Sequence, residues 1–286
     1  MDRLGARLES RSLVKFILGL TNFDLAEIGF LTRVYTLAGV DVIDIAADVG
    51  TVVATRGAIA AVRDEVAAAP DTPAVMVSVA LAHDPHIDGV RLDPEHLAAV
   101  APATPSQLAA VVAACLAEGA EMVEVHASDS DDAALVAALE AVSPVLGDRY
   151  LSVCLGTQGL RSPQDAIRQA RLARAIHGPH TMIQAEGLAA AGRAHPSSSL
   201  QGLALAQALL AHTPTYVLVA GAANHWTRSL ADVLGVAVHG VASGTYARGL
   251  VKGMQASDPH GDEWEPVAAV ARAFVGQLRG GGARDV

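Results

Sequence analysis

The sequence predicts a single (β/α)8 barrel of the TIM type, and three observations favour this fold. Eight short runs rich in Val and Ile alternate with Ala- and Leu-rich stretches at helical spacing, and no strand is left over. Hydrophobic residues make up 51% of the chain and aromatic residues only 3%, which suits parallel strands covered by helices. A length of 286 residues suits one barrel. An open doubly wound sheet is the alternative.

The predicted strands are the apolar runs at residues 13–20, 40–48, 74–81, 121–128, 150–157, 180–187, 215–222 and 237–244. Helices are predicted between them, for example at 24–39 and 162–178, each beginning at an Asp or a Ser. Segment 82–106 follows the third strand and is rich in Pro and His, so we expect an extended loop that covers a ligand. A final helix is predicted at 263–279. All of these elements belong to one domain, residues 1–286.

Charge and cysteine content narrow the classes of partner. The chain has 20 Lys and Arg against 30 Asp and Glu, a net charge of -10, which repels nucleic acids and anionic membranes. Cys115 and Cys154 lie in separate predicted elements without metal-ligand spacing, so no disulfide framework or iron-sulfur cluster is expected. The N-terminus lacks the apolar core of a signal peptide, and no run reaches about 18 apolar residues. We expect a cytoplasmic protein that binds a small molecule. The sequence leaves open whether the protein forms a homo-oligomer.

Alternation along the strands predicts which side chains face the barrel interior. Ile43 and Ile45 must face the helices, so Asp44 between them faces inward. The same argument places the following residues inside: Lys15, Ser78, Glu124, His126, Ser152, Cys154, Gln184 and Glu186. Barrel interiors are usually filled by Val, Ile and Leu. A polar interior therefore indicates a functional site.

Lys15 is the one cation inside a predicted strand, and Asp44 lies on the next strand. A desolvated ammonium is expected to have a lowered pKa, which makes the amine available as a base or as a Schiff-base nucleophile. The predicted catalytic residues are Lys15, Asp44, Glu124, His126 and Glu186. One alternative is that Lys15 and Asp44 form a buried ion pair with no chemical role.

A second alternative uses the same acidic residues as ligands of a metal ion, because one lysine cannot neutralise three carboxylates. The ligands would be Asp44, Glu124, His126 and Glu186. The sequence contains no H-x-H or other recognised metal-binding spacing. We therefore expect neither a metal nor another cofactor.

The ends of strands seven and eight have the small residues of a phosphate-binding loop, in VAGAANHWTR (219–228) and VASGTYAR (241–248). Glycine that only makes a turn is the alternative. The predicted substrate-binding residues, with the polar residues at other strand ends, are Asn22, Asp48, Gln184, Gly221, Ala222, Asn224, Gly244, Thr245, Tyr246 and Arg248. Asp24 is expected to cap a helix instead.

Several stretches, among them LVKFILGLTNFD (13–24), VDVIDIAAD (40–48), VSVALAHDPHI (77–87) and YVLVAGAANHWT (216–227), resemble the cyanobacterial light-dependent-period (LdpA-like) family. More loosely, they resemble plastid and cyanobacterial barrels of unknown function. The resemblance implies a barrel but assigns no chemistry to its residues. Members of that family also carry a cysteine-rich ferredoxin-like part with iron-sulfur clusters, linked to redox input to the circadian clock. This sequence has a cysteine-free segment at 88–106 where that part would follow, so cluster chemistry is not implied.

The residues therefore favour an enzyme of the lyase, aldolase or isomerase type. Its substrate would be a small, phosphorylated or otherwise anionic, carbonyl or enolisable compound. Two alternatives stay open. One is a non-catalytic metabolite-binding or regulatory barrel, and the other is a metal-dependent lyase or hydrolase.

Overall fold

The computed structural model describes residues 3–66, 71–81, 91–127, 130–156, 162–187, 198–221, 223–224, 226–257 and 264–279. Within these ranges the strands are β1 (Leu13–Gly19), β2 (Val42–Ala46), β3 (Ala74–Ala80), β4 (Met122–His126), β5 (Leu151–Gly156), β6 (Thr181–Glu186), β7 (Tyr216–Ala220) and β8 (Gly240–Ser243). The helices are α1 (Arg3–Glu9), α2 (Leu25–Ala38), α3 (Val49–Glu65), α4 (Pro94–Val100), α5 (Pro105–Ala117), α6 (Asp132–Leu146), α7 (Pro163–His177), α8 (Ser198–His212), α9 (Thr227–Leu234), α10 (Thr245–Ser257) and α11 (Trp264–Leu278).

The eight strands pair in chain order, and β1 pairs with β8 to close a parallel barrel. The predicted (β/α)8 fold is confirmed, and the open sheet is excluded because β1 and β8 are hydrogen-bonded neighbours. Each predicted run contains one strand. The predicted helices at 24–39 and 162–178 correspond to α2 and α7, which begin after the side-chain caps Asp24 and Ser162.

The two largest groups of buried apolar residues lie on opposite sides of the strands. Ile43, Ile45, Val123 and Val125 face outward into the main core between strands and helices, as alternation predicts. A smaller inner cluster fills the N-terminal end of the barrel. It consists of Leu8, Leu13, Val42, Ala74, Met76, Met122, Tyr150, Met182 and Leu218.

Two helices were not predicted. In α1, Leu8 is fully buried against the inner cluster and closes the N-terminal end of the barrel. In α4, Asp93 caps the first turn and Pro94 occupies its start, so part of the expected loop at 82–106 is helical. Residues 82–90 of that segment lie outside the described residues. Val100 at the end of α4 packs with Ala46 and Ala80 at the ends of β2 and β3.

No described helix is by itself long and apolar enough to span a membrane. The helices α4 and α5 meet the criteria of length and composition only as a pair, and the chain bends by 91° between them.

Candidate active site

A layer of polar side chains lies inside the barrel, above the inner apolar cluster and towards the C-terminal ends of the strands. Alternation along each strand produces this layer, because for every member except Cys154 the residue two positions earlier belongs to the inner cluster. The members are Lys15, Asp44, Ser78, Glu124, Ser152, Cys154 and Gln184, each no more than 2% exposed. His126 and Glu186 lie at the upper edge of the layer, 7% and 9% exposed.

Lys15 lies at the centre of this layer and contacts three residues on three different strands. Its Nζ lies 2.8 Å from Asp44 Oδ2 and 2.7 Å from Glu124 Oε2. It also donates to Gln184 Oε1 at 2.9 Å. An ammonium has three N–H donors, so these partners satisfy all of them.

Both carboxylates that hold Lys15 are also held by serine hydroxyls. Ser78 Oγ donates to Asp44 Oδ1 at 2.5 Å, and Ser152 Oγ donates to Glu124 Oε2 at 2.6 Å. Sequence reasoning placed both serines inside the barrel but gave them no role. Strand alternation was the signal that located them, and the buried acids beside them supply the reason for hydroxyl donors at these positions.

The electrostatics of the layer differ from the prediction. Burial acts to lower the pKa of Lys15, but the charges and hydrogen bonds of Asp44 and Glu124 outweigh burial and raise this pKa above the ordinary value. The expectation of a lowered lysine pKa was therefore wrong. It considered desolvation alone, whereas two adjacent carboxylates favour the charged form more strongly.

The two carboxyl groups are shifted in opposite directions. Burial is the largest influence on Asp44 and raises its pKa, with Lys15 opposing and the charge of Glu124 adding to the shift. Burial also acts to raise the pKa of Glu124, but Lys15 and His126 outweigh it and hold this pKa well below the ordinary value. Glu124 is thus the fixed anion of the layer, and Asp44 is the carboxyl group that most readily accepts a proton.

Towards the mouth, three further side chains adjoin the layer. His126 Nε2 lies 3.2 Å from Glu124 Oε1. Cys154 Sγ donates to Glu186 Oε2 at 3.4 Å and accepts from Gln184 Nε2 at 3.4 Å. The five predicted catalytic residues and Gln184 therefore lie in one connected set. Cys154, which alternation also placed inside the barrel, belongs to this set as well.

Small residues surround the barrel interior above this set. Ala46, Ala80 and Ala220 end β2, β3 and β7, each two residues beyond an inward-facing position. Gly156 lies beside Glu186 at the end of β5. Above β2 and β3, Val100 of α4 packs on Ala46 and Ala80.

Among the predicted binding residues, Gln184 belongs to the polar layer, and Arg248 lies at the C-terminal end of β1. Its Nη1 donates to Leu18 O at 3.0 Å, beside Gly19, where an added Cβ would lie 3.4 Å from the guanidinium. Burial lowers the pKa of Arg248, and the charge of Glu27 opposes this shift. A half-buried guanidinium at the C-terminal end of β1 is a suitable anion donor.

The glycines of the last two loops have structural reasons for lacking a side chain. Gly221 has a φ of +85°, and a Cβ there would lie 2.7 Å from Gly187 N. At Gly244, a Cβ would lie 3.2 Å from Ile17 Cβ. The positive φ of Gly221 fits the turn interpretation, whereas close packing accounts for Gly244, and the backbone of both glycines lies at the barrel mouth.

Three predicted binding residues serve local turns or caps. Asn22 Oδ1 accepts from Asp24 N, and Asn224 Oδ1 accepts from Trp226 N. Asp48 Oδ1 accepts from Thr51 N and caps α3. These hydrogen bonds give each of the three side chains a local structural role, and their part in binding stays a prediction.

The remaining predicted binding residues are Ala222, Thr245 and Tyr246. The ring of Tyr246 packs on Phe274 of α11, with 5.4 Å between ring centroids. This contact joins Tyr246 to the helix layer, and its place at the binding site stays a prediction. Thr245 begins α10, but its side chain is not among the described ones, and Ala222 lies outside the described residues.

No family model matches the chain, and no curated protein has a significantly similar sequence. Solved structures do match its fold. The tryptophan synthase alpha subunit of Legionella pneumophila has a TM-score of 0.59 and 10% identity, and the match covers 98% of each chain. The YdjI aldolase of Escherichia coli K12 has a TM-score of 0.54 and 10% identity, over 96% of this chain and 91% of that one.

A third similar structure comes from Toxoplasma gondii and is assigned as a deoxyribose-phosphate aldolase. Its TM-score is 0.56 and its identity 13%, and the match covers 90% of this chain and 99% of that one. At these identities the comparisons establish the fold that the chain shares with these enzymes, a TIM barrel.

Proposed function

We propose that the protein is an enzyme of the lyase, aldolase or isomerase type that acts on a small anionic carbonyl compound. One observation carries this proposal: the ammonium of Lys15 is buried between Asp44 and Glu124, directly beneath the mouth of the barrel. In barrels of this class, active sites lie at the C-terminal ends of the strands. The residues at that end therefore supply an acid-base pair where a substrate is expected to bind.

A purely structural role accounts poorly for this arrangement. Replacing a buried ion pair by well-packed apolar side chains is often neutral or stabilising. Here one ammonium, two carboxylates, two hydroxyls and an amide occupy positions that barrels usually fill with Val, Ile and Leu. The energetic cost of burying these groups favours a chemical role for them.

Lys15 is an ammonium at rest, so covalent chemistry begins with loss of a proton. Asp44 is the acceptor, because its Oδ2 lies 2.8 Å from Nζ and burial raises its pKa. The neutral amine then attacks the substrate carbonyl carbon to form a carbinolamine. Asp44 returns the proton to the carbinolamine hydroxyl, which leaves as water, and a protonated Schiff base remains. The positive charge of that Schiff base lies beside ionised Glu124, which stabilises it.

The same residues support a non-covalent version. The neutral amine of Lys15 takes a proton from the carbon next to the carbonyl, and the resulting ammonium returns a proton later. Arg248 and the backbone near Gly221 and Gly244 would hold the anionic group of the substrate. The similarity in fold to the YdjI aldolase and to a barrel assigned as a deoxyribose-phosphate aldolase supports a reaction of the aldolase type.

Trapping a Schiff base with borohydride distinguishes the covalent mechanism from the general-base mechanism. We would incubate the full chain with small aldehydes and ketones, including phosphorylated ones, reduce with borohydride and analyse peptides by mass spectrometry. The covalent version predicts a reduced adduct on the peptide that contains Lys15. The general-base version predicts Lys15-dependent exchange of substrate C–H for deuterium without an adduct.

Lys15→Met is the test variant, and Lys252→Met is its matched control because Lys252 is exposed and pairs with Glu27. A folded Lys15→Met protein with full exchange or turnover would overturn the proposal. Ligand-induced thermal stabilisation with neither an adduct nor exchange for any compound would instead indicate a non-catalytic binding protein.

A further inference from the structure

We infer that the mouth of the barrel binds one divalent transition metal of the zinc type through Glu124, His126 and Cys154. One carboxylate oxygen, one imidazole nitrogen and the thiol sulfur of these residues all lie within 4.8 Å of one another. All three residues are buried. The proposed use of the metal in catalysis rests on the function proposed above, whereas its binding does not.

Strand register brings the three donors together. Glu124 and His126 are two residues apart on β4, so both face inward, and Cys154 pairs with His126 on the adjacent strand β5. His126 Nε2 lies 3.2 Å from Glu124 Oε1. Two ligands at about 2.1 Å from a tetrahedral zinc ion are about 3.4 Å apart. The observed separation therefore needs little rearrangement.

The chemistry of the donors selects the kind of metal. Thiolate and imidazole are typical ligands of zinc and related transition metals, and a carboxylate commonly completes such a set. Magnesium and calcium prefer oxygen ligands alone. On metal binding, the thiol of Cys154 releases its proton to solvent and the neutral imidazole of His126 donates its lone pair.

Neighbouring groups orient the carboxylate and the thiol. Lys15 and Ser152 hold Glu124 Oε2, so Oε1 is the oxygen directed towards His126. Gln184 Nε2 donates both to Glu124 Oε1 and to Cys154 Sγ. Hydrogen bonds of this kind typically fix metal ligands and stabilise the charge on a thiolate.

The charge balance of the interior also favours a cation. Among the described residues, Lys15 is the one buried Lys or Arg side chain, whereas Asp44, Glu124 and Glu186 are buried acids. A divalent ion would offset this excess of negative charge. His126 and Glu186 are the most exposed members of the set. We therefore expect the remaining coordination position to face the mouth, where the metal would polarise a substrate carbonyl oxygen.

The inference is tested by titrating the metal-free full chain with Co²⁺ and recording absorption spectra. We expect one equivalent to bind and to produce a near-ultraviolet sulfur-to-cobalt charge-transfer band. Cys154→Ser should abolish this band, and His126→Ala should weaken Zn²⁺ binding at least about tenfold in competition with a chromophoric chelator. Cys115→Ser is the matched control, because Cys115 is equally buried but lies on α5 in the helix layer. This control should bind like the unaltered chain.

Co²⁺ binding without a charge-transfer band, or equal Zn²⁺ affinity in folded Cys154→Ser and the unaltered chain, would overturn the inference. If Cys154→Ser does not fold, X-ray absorption of the Zn²⁺-loaded unaltered chain decides, since one sulfur ligand is expected. The titrations contain no substrate. Lys15 adducts without metal binding would therefore reject this inference alone, whereas metal binding without any Lys15-dependent chemistry would reject the proposed function alone.

Discussion

Lys15 and Asp44 lie on adjacent strands of the barrel, and Lys15 Nζ is 2.8 Å from Asp44 Oδ2 in an interior that excludes solvent from both groups. Their pKa values are both raised, but for different reasons. Burial acts to lower the pKa of Lys15 and the carboxylates outweigh it, whereas burial itself raises the pKa of Asp44. The two groups form an ion pair, and a proton of the Lys15 ammonium needs to move only a short distance to reach the Asp44 carboxylate.

Removing the ammonium should destabilise the fold in a pH-dependent way. In Lys15→Met, the buried acids lose their counter-charge, and we expect a cost of about 3–5 kcal/mol at pH 8. Without Lys15 the carboxyl pKa values rise above their unfolded values. A raised carboxyl pKa contributes stability below the unfolded pKa of about 4 and loses it as pH rises through the folded pKa.

Lys15→Met should therefore lower the free energy of unfolding by less at pH 5 than at pH 8. In the unaltered chain the lowered pKa of Glu124 has the opposite effect, because its stabilisation is present above the unfolded pKa and is lost at lower pH. Urea unfolding of both proteins at the two pH values measures the difference. Lys252→Met should show little change, and an equal penalty for Lys15→Met at both pH values would contradict the prediction.

The two carboxyl groups should not be equivalent. Asp44→Asn removes a group whose ionisation is opposed by burial, whereas Glu124→Gln removes the anion that Lys15 and His126 stabilise. We expect Glu124→Gln to be less stable than Asp44→Asn by at least about 1 kcal/mol at pH 7. Parallel urea titrations test this order. Equal stabilities, or the reverse order, would show that the opposed pKa shifts are assigned to the wrong residues.

At the N-terminal end of the barrel, Asp41 links β1 to α1 and to the end of α11. Its Oδ2 accepts from Val14 N at 2.9 Å, and its Oδ1 lies 3.1 Å from Arg7 Nε and 2.9 Å from Arg279 Nη2. Asp41→Ala should cost about 2–3 kcal/mol, because a buried N–H loses its acceptor and two guanidinium groups lose their partner. Thermal unfolding checks this value. Asp71→Ala is the control, since Asp71 is exposed and 3.9 Å from Arg3, and a similar loss in both variants would contradict the prediction.

The backbone at Gly221 should not tolerate a side chain. Gly221→Ala places a Cβ at 2.7 Å from Gly187 N and forces an L-residue to a φ of +85°, so we expect a loss of about 2 kcal/mol or more. Gly57→Ala is the matched control, because nothing lies within 4 Å of its Cβ position in α3. That variant should gain up to about 1 kcal/mol. Denaturant unfolding of both variants measures these effects, and a neutral Gly221→Ala would be evidence against the close approach.

Alternation along the strands predicted more of this molecule than any single motif. It placed Lys15, Asp44 and Glu124 inside the barrel, because the outward positions must contact helices and therefore must be apolar. The contact between Lys15 and Glu124 was beyond this reasoning. These residues are on β1 and β4, and their meeting depends on side-chain length and strand stagger.

Other features depended on tertiary context in the same way. The sign of the lysine pKa shift follows from two neighbouring charges that the sequence does not locate. The helices α1 and α4 are each only seven residues long, and Leu8 of α1 gains its burial from the barrel. Kinship with the light-dependent-period family stays a prediction that rests on the shared sequence stretches.

The apolar cluster beneath Lys15 determines how substrate can enter the barrel and how product can leave it. Leu8 and the methionine side chains fill the N-terminal end, so a molecule that reaches Lys15 enters and departs through the same opening. If catalysis cleaves one substrate into two fragments, we expect the fragment nearer the opening to depart first. Release would then follow a fixed order, and the later product would inhibit competitively with the substrate.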